Sequence, residues 1–592
     1  MAFLQLPAIL FGAAFTVASS YAAGRLVLRK AGLQSGEREL CAFVTGSACL
    51  SLLVFAAAAV KLAYPATFLV LGAALLSLQH RLKPVPPCSG FSLRIWPFAA
   101  LFLLYSALYL SQALGPEYSP DGSTYHLGYV ARYLRQHGFG RITTSFYANM
   151  PQGLEMLFLF AFAFGRHSAA AMVHFAFLVA LVLGMVTYAR RFGFPLAGMF
   201  GAALVYLSPV FGYDGTVAYN DVAAACVVFF LFYLLQIWAA ERQYALLIPI
   251  GLLTGFAFSI KYTAGIAVLY AVAFVLVGQV INLRRVSNSP QAAERRRLLT
   301  RAQDTILPHM AMAVFAAAVM IVPWMAKSWI VAGNPVTPFF NRWFPNPYVS
   351  AAFEEEYRRM YLPAEGLWAH FLDATYRVGP AAAIVGAVFL LAPLALFAVR
   401  SAQGQQLLIA GALFLLPGMF QIQTRFLLPA IPFIALAMGL VLARIPVLVY
   451  ALIAVHAVLC WPTVMLHYAD GSLRVRHFLP KQALRIESED STLRYRLPGY
   501  ATARMVEQLT APDAKVFCYA SPAEAYTSRD LLIYYESTQN REDLDLVAQR
   551  NFTELKRRGI THLLILDSFP GDLSGLNRLG TVEKTTLYAL KD

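Results

Sequence analysis

Apolar residues form long blocks over most of the chain, and the last block ends near residue 466. Each block is about 17 to 25 residues long, the length that an α-helix needs to cross a hydrocarbon layer of about 30 Å. The pattern therefore predicts a polytopic α-helical membrane protein with about fourteen transmembrane helices. The predicted spans are 3–27, 39–60, 62–79, 95–114, 168–189, 195–211, 222–240, 244–260, 263–282, 308–331, 378–399, 405–422, 426–443 and 446–466.

The chain after residue 467 has only short apolar runs, which predicts a small α/β domain. Residues 541–558 have helical spacing and end at Gly559, directly before a predicted strand, which suggests a βαβ unit. This tail shows neither a phosphate-binding glycine loop nor a catalytic pair, so we expect a supporting role or an acceptor-binding cap. Strand composition is found at 515–519, 531–535, 562–567 and 585–590.

Two further segments lie between predicted spans and have a mixed character. The apolar piece near 153–165 is too short to span comfortably, which favours a juxtamembrane or re-entrant helix. Residues 346–373 mix aromatic residues with Glu and Arg, which favours an amphipathic helix in the membrane interface.

Composition narrows the class of protein. Of 592 residues, 59% are hydrophobic and 13% charged, whereas soluble domains are about 25% charged. This excludes a large soluble enzyme, a disordered protein and a fibrous protein. The net charge is +15, but no nucleic-acid-binding motif is present. The six cysteines form no CxxC pair, so neither a disulfide framework nor a zinc site is predicted.

The distribution of Lys and Arg predicts the topology. With fourteen spans, the basic clusters between spans all fall on one side, which is then cytoplasmic. The segments 115–167, 212–221, 332–377 and 423–425 and the tail from 467 then face outward. The basic residues are Arg29, Lys30, Arg38, Arg81, Lys83, Arg94, Arg190, Arg191, Arg242, Arg284, Arg285, Arg295–Arg297, Arg301, Arg400 and Arg444.

The first outward loop contains several groups that could carry chemistry. Glu117, Asp121, Tyr125 and His126 follow directly on a predicted span. An acid at the end of a membrane helix is often only a solvated loop residue, and His126 could orient Asp121, bind a metal or simply form a hydrogen bond. Asp121 is the candidate base of this loop.

A second acidic pair lies in the next outward loop. Asp214 is in the loop, and Asp221 begins the following apolar helix. Asp221 could be a helix N-cap, or it could face the same outward cavity as Asp121. In the second interpretation the two carboxylates form one site at the membrane surface.

Cations recur at the same predicted level. Lys261 and Arg425 interrupt apolar stretches at outward turns, where a charge is either functional or snorkels to the interface. Two cations beside two acids are suited to binding a lipid phosphate next to a general base. Arg358 and Arg359 in the interfacial segment could add phosphate contacts.

Five motifs in order resemble those of GT-C superfamily glycosyltransferases. The bacterial type related to family 39 is the most similar; it includes protein O-mannosyltransferases and the lipid A aminoarabinose transferase. The resemblance covers roughly residues 95–466. The motifs are Ser119-Pro-Asp-Gly-Ser-Thr-Tyr-His, Tyr219-Asn-Asp, Lys261-Tyr-Thr, Pro323-Trp with Gly333-Asn-Pro, and Thr424-Arg-Phe-Leu-Leu-Pro-Ala-Ile-Pro.

The resemblance implies a polyprenyl-phosphate-linked sugar as donor and inverting transfer on the outer face of the membrane. It implies Asp121 as general base, Asp221 for acceptor binding or site organisation, and Lys261 and Arg425 near the donor phosphate. It implies no certain cofactor, and a divalent cation is left open. Because Gly122 follows Asp121, the paired Asp-Glu of protein O-mannosyltransferases is missing, which favours a glycan or lipid acceptor over a protein.

The predicted organisation has three parts. Residues 1–94 carry additional helices, 95–466 form the GT-C-like core, and 467–592 form the extracytoplasmic α/β domain. We expect a bacterial inner-membrane enzyme whose partners are the lipid-linked donor, a glycan or lipid acceptor and membrane lipids, and no nucleic acid. A lipid or polysaccharide transporter and a non-catalytic envelope assembly factor are the alternatives.

Overall fold

The structure is a computed structural model that describes residues 2–81, 96–287, 292–362, 366–379 and 382–590. Side-chain surroundings are described for 5–81, 99–276, 311–362, 366–379 and 382–590. The predicted boundary between residues 94 and 95 lies outside the described residues, as do Lys83, Cys88 and Arg94. The side chains of the basic cluster from Arg284 to Arg301 also lie outside the described side chains.

The chain is a multi-pass membrane protein built around a bundle of apolar helices. Among the described residues, five helices are long and apolar enough to cross a membrane, judged by length and composition, and eight more apolar helices are shorter. Each of the fourteen predicted spans overlaps at least one helical element, and the spans 195–211 and 446–466 each overlap two α-helices. The helices of this part are α1 (Ala2–Val27), α2 (Glu37–Ala59), α3 (Pro65–His80), α4 (Trp96–Ala113), α5 (Leu127–Arg135), α6 (Gly153–Arg191), α7 (Pro195–Leu207), α8 (Pro209–Asp214), α9 (Asp221–Glu241), α10 (Leu247–Ile260), α11 (Ile266–Ser287), α12 (Ala292–Ala332), α13 (Ala351–Tyr361), α14 (Leu367–Leu372), α15 (Ala402–Met419), α16 (Ile431–Leu442), α17 (Pro446–Leu459) and α18 (Pro462–Met465).

The span predicted at 378–399 begins later and has a different helical form. The structure has a 3₁₀ helix at Ala387–Arg400, preceded by Gly386 at a φ of 106°. Pro393 lies inside this helix and has no N–H to donate, which disfavours regular α-helical hydrogen bonding there.

The short apolar piece near 153–165 and the following span are joined in α6. Arg166 has a φ of 57° and a ψ of −148°, so the helix is broken at that residue. The piece before the break is buried within the bundle, since Leu157, Phe158 and Phe160 are fully buried. The first turn of α6 therefore also lies inside the helix bundle.

The N-terminal helices pack directly on the rest of the bundle. A Cβ atom on Gly24 of α1 would lie 1.8 Å from the carbonyl oxygen of Ala42 in α2, and one on Gly46 would lie 1.7 Å from that of Ser20. Small residues allow such close approach of membrane helices. Both helices also contact α6, so this pair is continuous with the core.

The C-terminal part is a small domain with a mixed five-stranded sheet, as the α/β prediction required. The strand order is β2-β1-β3-β5-β4; β1 is parallel to β2 and β3, and β5 is antiparallel to β3 and β4. The elements are α19 (Pro480–Ala483), α20 (Glu489–Arg496), α21 (Tyr500–Leu509), β1 (Lys515–Tyr519), β2 (Asp530–Ile533), α22 (Thr538–Ala548), α23 (Phe552–Arg557), β3 (His562–Leu566), β4 (Asn577–Val582) and β5 (Thr585–Ala589).

Two details of the predicted tail were wrong. The helix predicted over 541–558 is divided into α22 and α23, because Arg550 adopts a φ of 58° and the side chain of Asn551 caps the second helix. Strand β4 was missed because its sequence, Asn577-Arg-Leu-Gly-Thr-Val, is polar and glycine-containing. It forms the exposed edge of the sheet.

Candidate active site

A cavity of about 210 Å³ opens at the end of the bundle that contacts the C-terminal domain. It is bounded by the loop after α4, the start of α6, the turns after α10 and α15, and helix α13. Its lining residues are Asp121, Tyr125, His126, Tyr147, Met150, Pro151, Gln152, Glu155, Asn220, Ile260, Lys261, Tyr262, Thr263, Phe339, Tyr357, Arg358, Tyr361, Gln421, Gln423, Arg425 and Phe426.

Asp121 lies at the cavity wall and is held by two donors. Its Oδ2 accepts hydrogen bonds from Arg425 Nη1 at 2.5 Å and from the Tyr125 hydroxyl at 3.0 Å. Burial raises the pKa of a carboxyl group, but at Asp121 the charges of Arg425 and His126 outweigh it and hold the pKa below its ordinary value. Asp121 is therefore a carboxylate at neutral pH.

Arg425 is fixed in a short turn between α15 and α16. The neighbouring Thr424 donates its hydroxyl to the carbonyl of Ala383 at 2.6 Å. The guanidinium lies 5.3 Å from the ring centroid of Tyr219 and 5.5 Å from that of Phe426, within the range of cation–π contacts. Burial lowers the pKa of Arg425, but the Asp121 carboxylate outweighs this and raises it well above its ordinary value. Among the described residues its buried Nε has no hydrogen-bond partner.

Asp221 and Lys261 form a second ion pair beside the first. Asp221 is the first residue of α9 and is 3% exposed. Lys261 leaves the end of α10 in extended conformation and reaches the Asp221 carboxylate. Its Nζ also lies 4.1 Å from the ring centroid of Phe426. Both cations of the site therefore contact the ring of Phe426.

Asp221 is not a capping residue, because another acid caps α9. The Oδ1 of Asp214 accepts the amide of Val222 at 2.9 Å, and His174 Nε2 accepts that of Ala223 at 3.1 Å. Burial, followed by the charge of Asp221, raises the pKa of Asp214 well above its ordinary value. Asp214 therefore has a structural role as the buried cap of α9. The carboxylate of Asp221 is left to pair with Lys261.

Sequence reasoning missed a second acid in the cavity wall, since Asp221 pairs with Lys261 but is not itself among the lining residues. Glu155, in the first turn of α6, is 3% exposed, and its Oε1 lies 2.6 Å from His126 Nδ1. Among the described residues its buried Oε2 has no partner. A lone acid inside an apolar helix was the available signal. His126 thus joins the cavity as the partner of Glu155.

Aromatic rings form one wall of the cavity. Tyr125 and Tyr147 stack with centroids 4.1 Å apart and an interplanar angle of 3°. Tyr357 and Tyr361 of α13 pair with centroids 4.9 Å apart. Flat apolar faces beside hydroxyl groups are suited to a ligand that has both C–H and O–H groups, such as a sugar ring.

The structure does not bring Glu117 to the cavity. It is 3% exposed, and its carboxylate accepts the amides of Ser119 and Ala218, each at 2.8 Å. Burial raises the pKa of Glu117 above its ordinary value despite these bonds. The residue joins the Asp121 loop to the loop before α9.

The two arginines of α13 differ in position. Arg358 reaches the rim of the cavity, although its side chain is 58% exposed and lies within 4 Å of both Glu354 and Glu355. Arg359 pairs with Glu355 and is not part of the described lining. Only Arg358 can contact a ligand at the cavity mouth without rearrangement.

The described residues hold no group of three or more His, Cys, Asp or Glu side chains that could bind a metal ion. The polar groups of the site are instead two cations, three carboxylates and several tyrosines. Such a site can neutralise an anion and accept a proton.

The fold resembles those of solved membrane proteins. ArnT from Cupriavidus metallidurans bound to undecaprenyl phosphate aligns with a TM-score of 0.50 and 14% identity, covering 84% of this chain and 98% of that one. Its apo structure aligns at 0.47 and 15%, with the same coverage. The oligosaccharyltransferase AglB from Archaeoglobus fulgidus, in complex with an inhibitory peptide and a dolichol-phosphate, aligns at 0.42 and 11%, covering 80% and 69%.

No protein-family model matches the sequence, and no curated protein matches it either. The structural likeness to ArnT extends over nearly the whole of that chain, and ArnT is a GT-C membrane glycosyltransferase. The motif resemblance found in the sequence is therefore matched by the fold: this chain is a largely helical membrane protein with an ArnT-like fold.

Proposed function

We propose that the protein is a membrane glycosyltransferase that moves a sugar from a polyprenyl-phosphate donor to a glycan or lipid acceptor. The observation that carries the proposal is the pair of ion pairs at one cavity, Asp121 with Arg425 and Asp221 with Lys261. The similarly folded ArnT was crystallised with undecaprenyl phosphate. Two partly buried cations next to a carboxylate supply what such a donor needs, a phosphate site beside a base.

The cations act on the leaving group. When the bond between the anomeric carbon and the phosphate oxygen breaks, negative charge develops on the departing lipid phosphate. Lys261 and Arg425 stabilise that charge electrostatically, an effect worth about 10²–10³ in rate for one preorganised donor.

Asp121 acts on the acceptor. The acceptor oxygen attacks the anomeric carbon from the face opposite the phosphate, its proton passes to the Asp121 carboxylate, and the configuration inverts. General-base catalysis of this kind contributes about 10²–10⁴ in rate. While Arg425 is paired with it, Asp121 is a weak base. A phosphate that attracts the guanidinium raises the basicity of Asp121 when the donor is present.

The proposal also includes location. Lys and Arg between the predicted spans support a cytoplasmic side opposite the cavity. The cavity, the segments around it and the C-terminal domain then face outward from a bacterial inner membrane. The donor reaches the cavity from the outer leaflet, with its lipid chain in the bilayer.

A donor panel tests the proposal. Purified protein in nanodiscs is given undecaprenyl-phosphate-linked hexoses, pentoses and amino sugars, with envelope lipids and glycans from a deletion strain as acceptors. We expect one donor to release undecaprenyl phosphate and to label one acceptor, both measured by mass spectrometry. Movement of intact donor across the bilayer without release would identify a transporter and overturn the proposal.

Asp121→Asn provides the matched variant. It is expected to lower turnover at least 100-fold at unchanged protein yield, in line with loss of a general base. Asp373→Asn is the control, because Asp373 is also a mostly buried carboxylate with an arginine partner, Arg377 at 3.4 Å. Asp373 does not line the described cavity, so this variant should keep wild-type turnover.

A further inference from the structure

The C-terminal domain contacts the loop that carries part of the cavity wall. Asn540 in the first turn of α22 donates its side-chain amide to the carbonyl of Thr144 at 2.8 Å. The amide of Phe146 donates to the carbonyl of Glu536 at 3.0 Å. Both bonds join the start of α22 to the residues directly before Tyr147.

The same helix start contacts the segment that leads into α13. The amide of Thr538 donates to the carbonyl of Tyr348 at 2.8 Å, and the Thr538 hydroxyl accepts the amide of Ser350 at 2.9 Å. Ser350 is itself the N-cap of α13. The N-cap of α13 and the residue two positions before it are therefore both hydrogen-bonded to Thr538 of the C-terminal domain.

Arg541 adds a side-chain contact to α13 one turn later. Its guanidinium pairs with the Glu356 carboxylate and lies 4.5 Å from the ring centroid of Phe353. The Arg541 side chain is 32% exposed, so part of it is sheltered between the domain and the helix. Ion pair and cation–π contact together fix one face of α13.

These contacts converge on a small aromatic core next to the cavity. Phe146 packs against Phe353, with centroids 5.9 Å apart, and against Tyr357, at 4.9 Å. The next ring, Tyr147, stacks on Tyr125, whose hydroxyl donates to Asp121. A continuous series of packed rings thus runs from Arg541 to the proposed base.

We propose that Arg541 is a positioning residue: it holds α13 and the Phe146 loop so that the tyrosine wall keeps Asp121 in its reactive orientation. This inference rests on the proposed transferase function for its kinetic consequence. Arg541 lies 185 residues after its partner Glu356 in the sequence, and none of the five sequence motifs includes it. A displacement of about 1 Å at a reacting group can cost 10²-fold in rate.

The test uses full-length protein in nanodiscs and two independent breaks of the contact, Arg541→Ala and Glu356→Ala. Hydrogen exchange of 142–150 and 351–361, measured by mass spectrometry, should rise at least threefold in both variants. With the active undecaprenyl-phosphate sugar, kcat should fall about tenfold and the donor KM less than twofold, because Lys261 and Arg425 are unchanged.

Two further variants make the result specific. The exchanged pair Arg541→Glu with Glu356→Arg should recover most of the protection and of kcat. Arg550→Ala, which breaks the Arg550–Asp572 pair within the same domain, should alter neither. Failure of the exchanged pair to recover either quantity, or equal effects of Arg550→Ala, would overturn the inference.

Hydrogen exchange needs no substrate, so the two proposals fail separately. If wild-type protein uses no donor but Arg541→Ala still loosens both segments while Arg550→Ala does not, the proposed function fails and the mechanical link stands. If exchange rises and kcat stays at the wild-type value, the positioning role itself is overturned.

Discussion

Helix α9 carries a cluster of charged residues at each end, and only one of them adjoins the cavity. Asp221 begins the helix and Glu241 ends it, 20 residues later, which is a distance of about 30 Å along the axis. Both clusters contain partly or fully buried acid–cation pairs. They differ in whether their polar groups all have hydrogen-bond partners and in whether they face a cavity.

At the Glu241 end the central acid is fully satisfied. The two carboxylate oxygens of Glu37 each lie 2.6 Å from Arg191 Nη1, and the Tyr233 hydroxyl donates to the same group at 3.0 Å. Glu37 is 1% exposed, and Arg191 also pairs with Glu241. This cluster joins α2, α6 and α9, so we assign it to packing.

At the Asp221 end the polar groups are only partly satisfied and face a cavity. Asp121 is 23% exposed at its side chain. Arg425 Nε and Glu155 Oε2 have no partner among the described residues. A buried ion pair by itself is weak evidence for function. The cavity beside these partly satisfied groups is what distinguishes this end.

After Asp121→Asn, the largest expected effect is that of Arg425→Gln. Loss of the guanidinium removes charge stabilisation at the leaving phosphate, so turnover should fall by about 10²–10³-fold. The rate of undecaprenyl phosphate release at saturating donor measures it. Arg377→Gln, which removes an arginine 47% exposed and paired four residues away, is the control. Equal losses in both variants would remove the distinction between the cavity and its surroundings.

Glu37→Gln should show the opposite behaviour. Removing one partner of a buried pair costs about 3–5 kcal/mol, and we expect the low end because Glu241 still faces Arg191. The thermal midpoint in detergent should fall, while turnover per folded molecule stays within twofold of wild type. A normal midpoint with lost turnover would mean that this cluster, too, serves the reaction.

The stability of the C-terminal domain should depend on pH through Glu536. Burial raises the pKa of Glu536 to about 7, against about 4.3 in an unfolded chain. As pH rises from about 4, the unfolded state therefore loses this proton before the folded state does. The free energy of unfolding then falls until about pH 7, by a total of about 1.4 kcal/mol for each unit of difference between the two pKa values. Urea unfolding of the domain signal at pH 5 and pH 8 measures the change. Glu536→Gln should remove the part that Glu536 contributes, while Glu524, whose pKa is also raised by burial, keeps its own part.

The smallest effect concerns the acid limit of turnover. Because the pKa of Asp121 lies below its ordinary value, this base stays ionised down to about pH 4. The turnover rate at saturating donor should then be independent of pH from pH 5 to pH 7. An acid limb within this range would contradict the assignment of Asp121 as the base.

The sequence could predict the helices and the charged residues of the site because both stand out from their surroundings. Blocks of apolar residues coincide with helices, and Asp121, Asp221, Lys261 and Arg425 are charges in apolar stretches. Which acid pairs with which cation could not be predicted. That depends on the packing of turns that are far apart in sequence.

Other features depend on tertiary contacts that leave little local signal. Glu155 lies in a segment predicted to be a juxtamembrane or re-entrant helix, and only its contact with His126 reveals its place in the cavity wall. Asp214 looked like a loop acid, yet it caps α9. Strand β4 is polar and exists because β5 pairs with it. In each case a contact with another segment of the chain decides the role of the residue.

The most direct measurement is the affinity of Asp121→Asn for undecaprenyl phosphate, compared with wild type in nanodiscs. If Asp121 and the donor phosphate share Arg425, neutralising Asp121 frees the guanidinium. The variant should then bind the lipid phosphate more tightly, by roughly 3- to 10-fold for a contact worth about 1 kcal/mol, while it loses transfer. Weaker or unchanged binding, or wild-type transfer by the variant, would contradict the account.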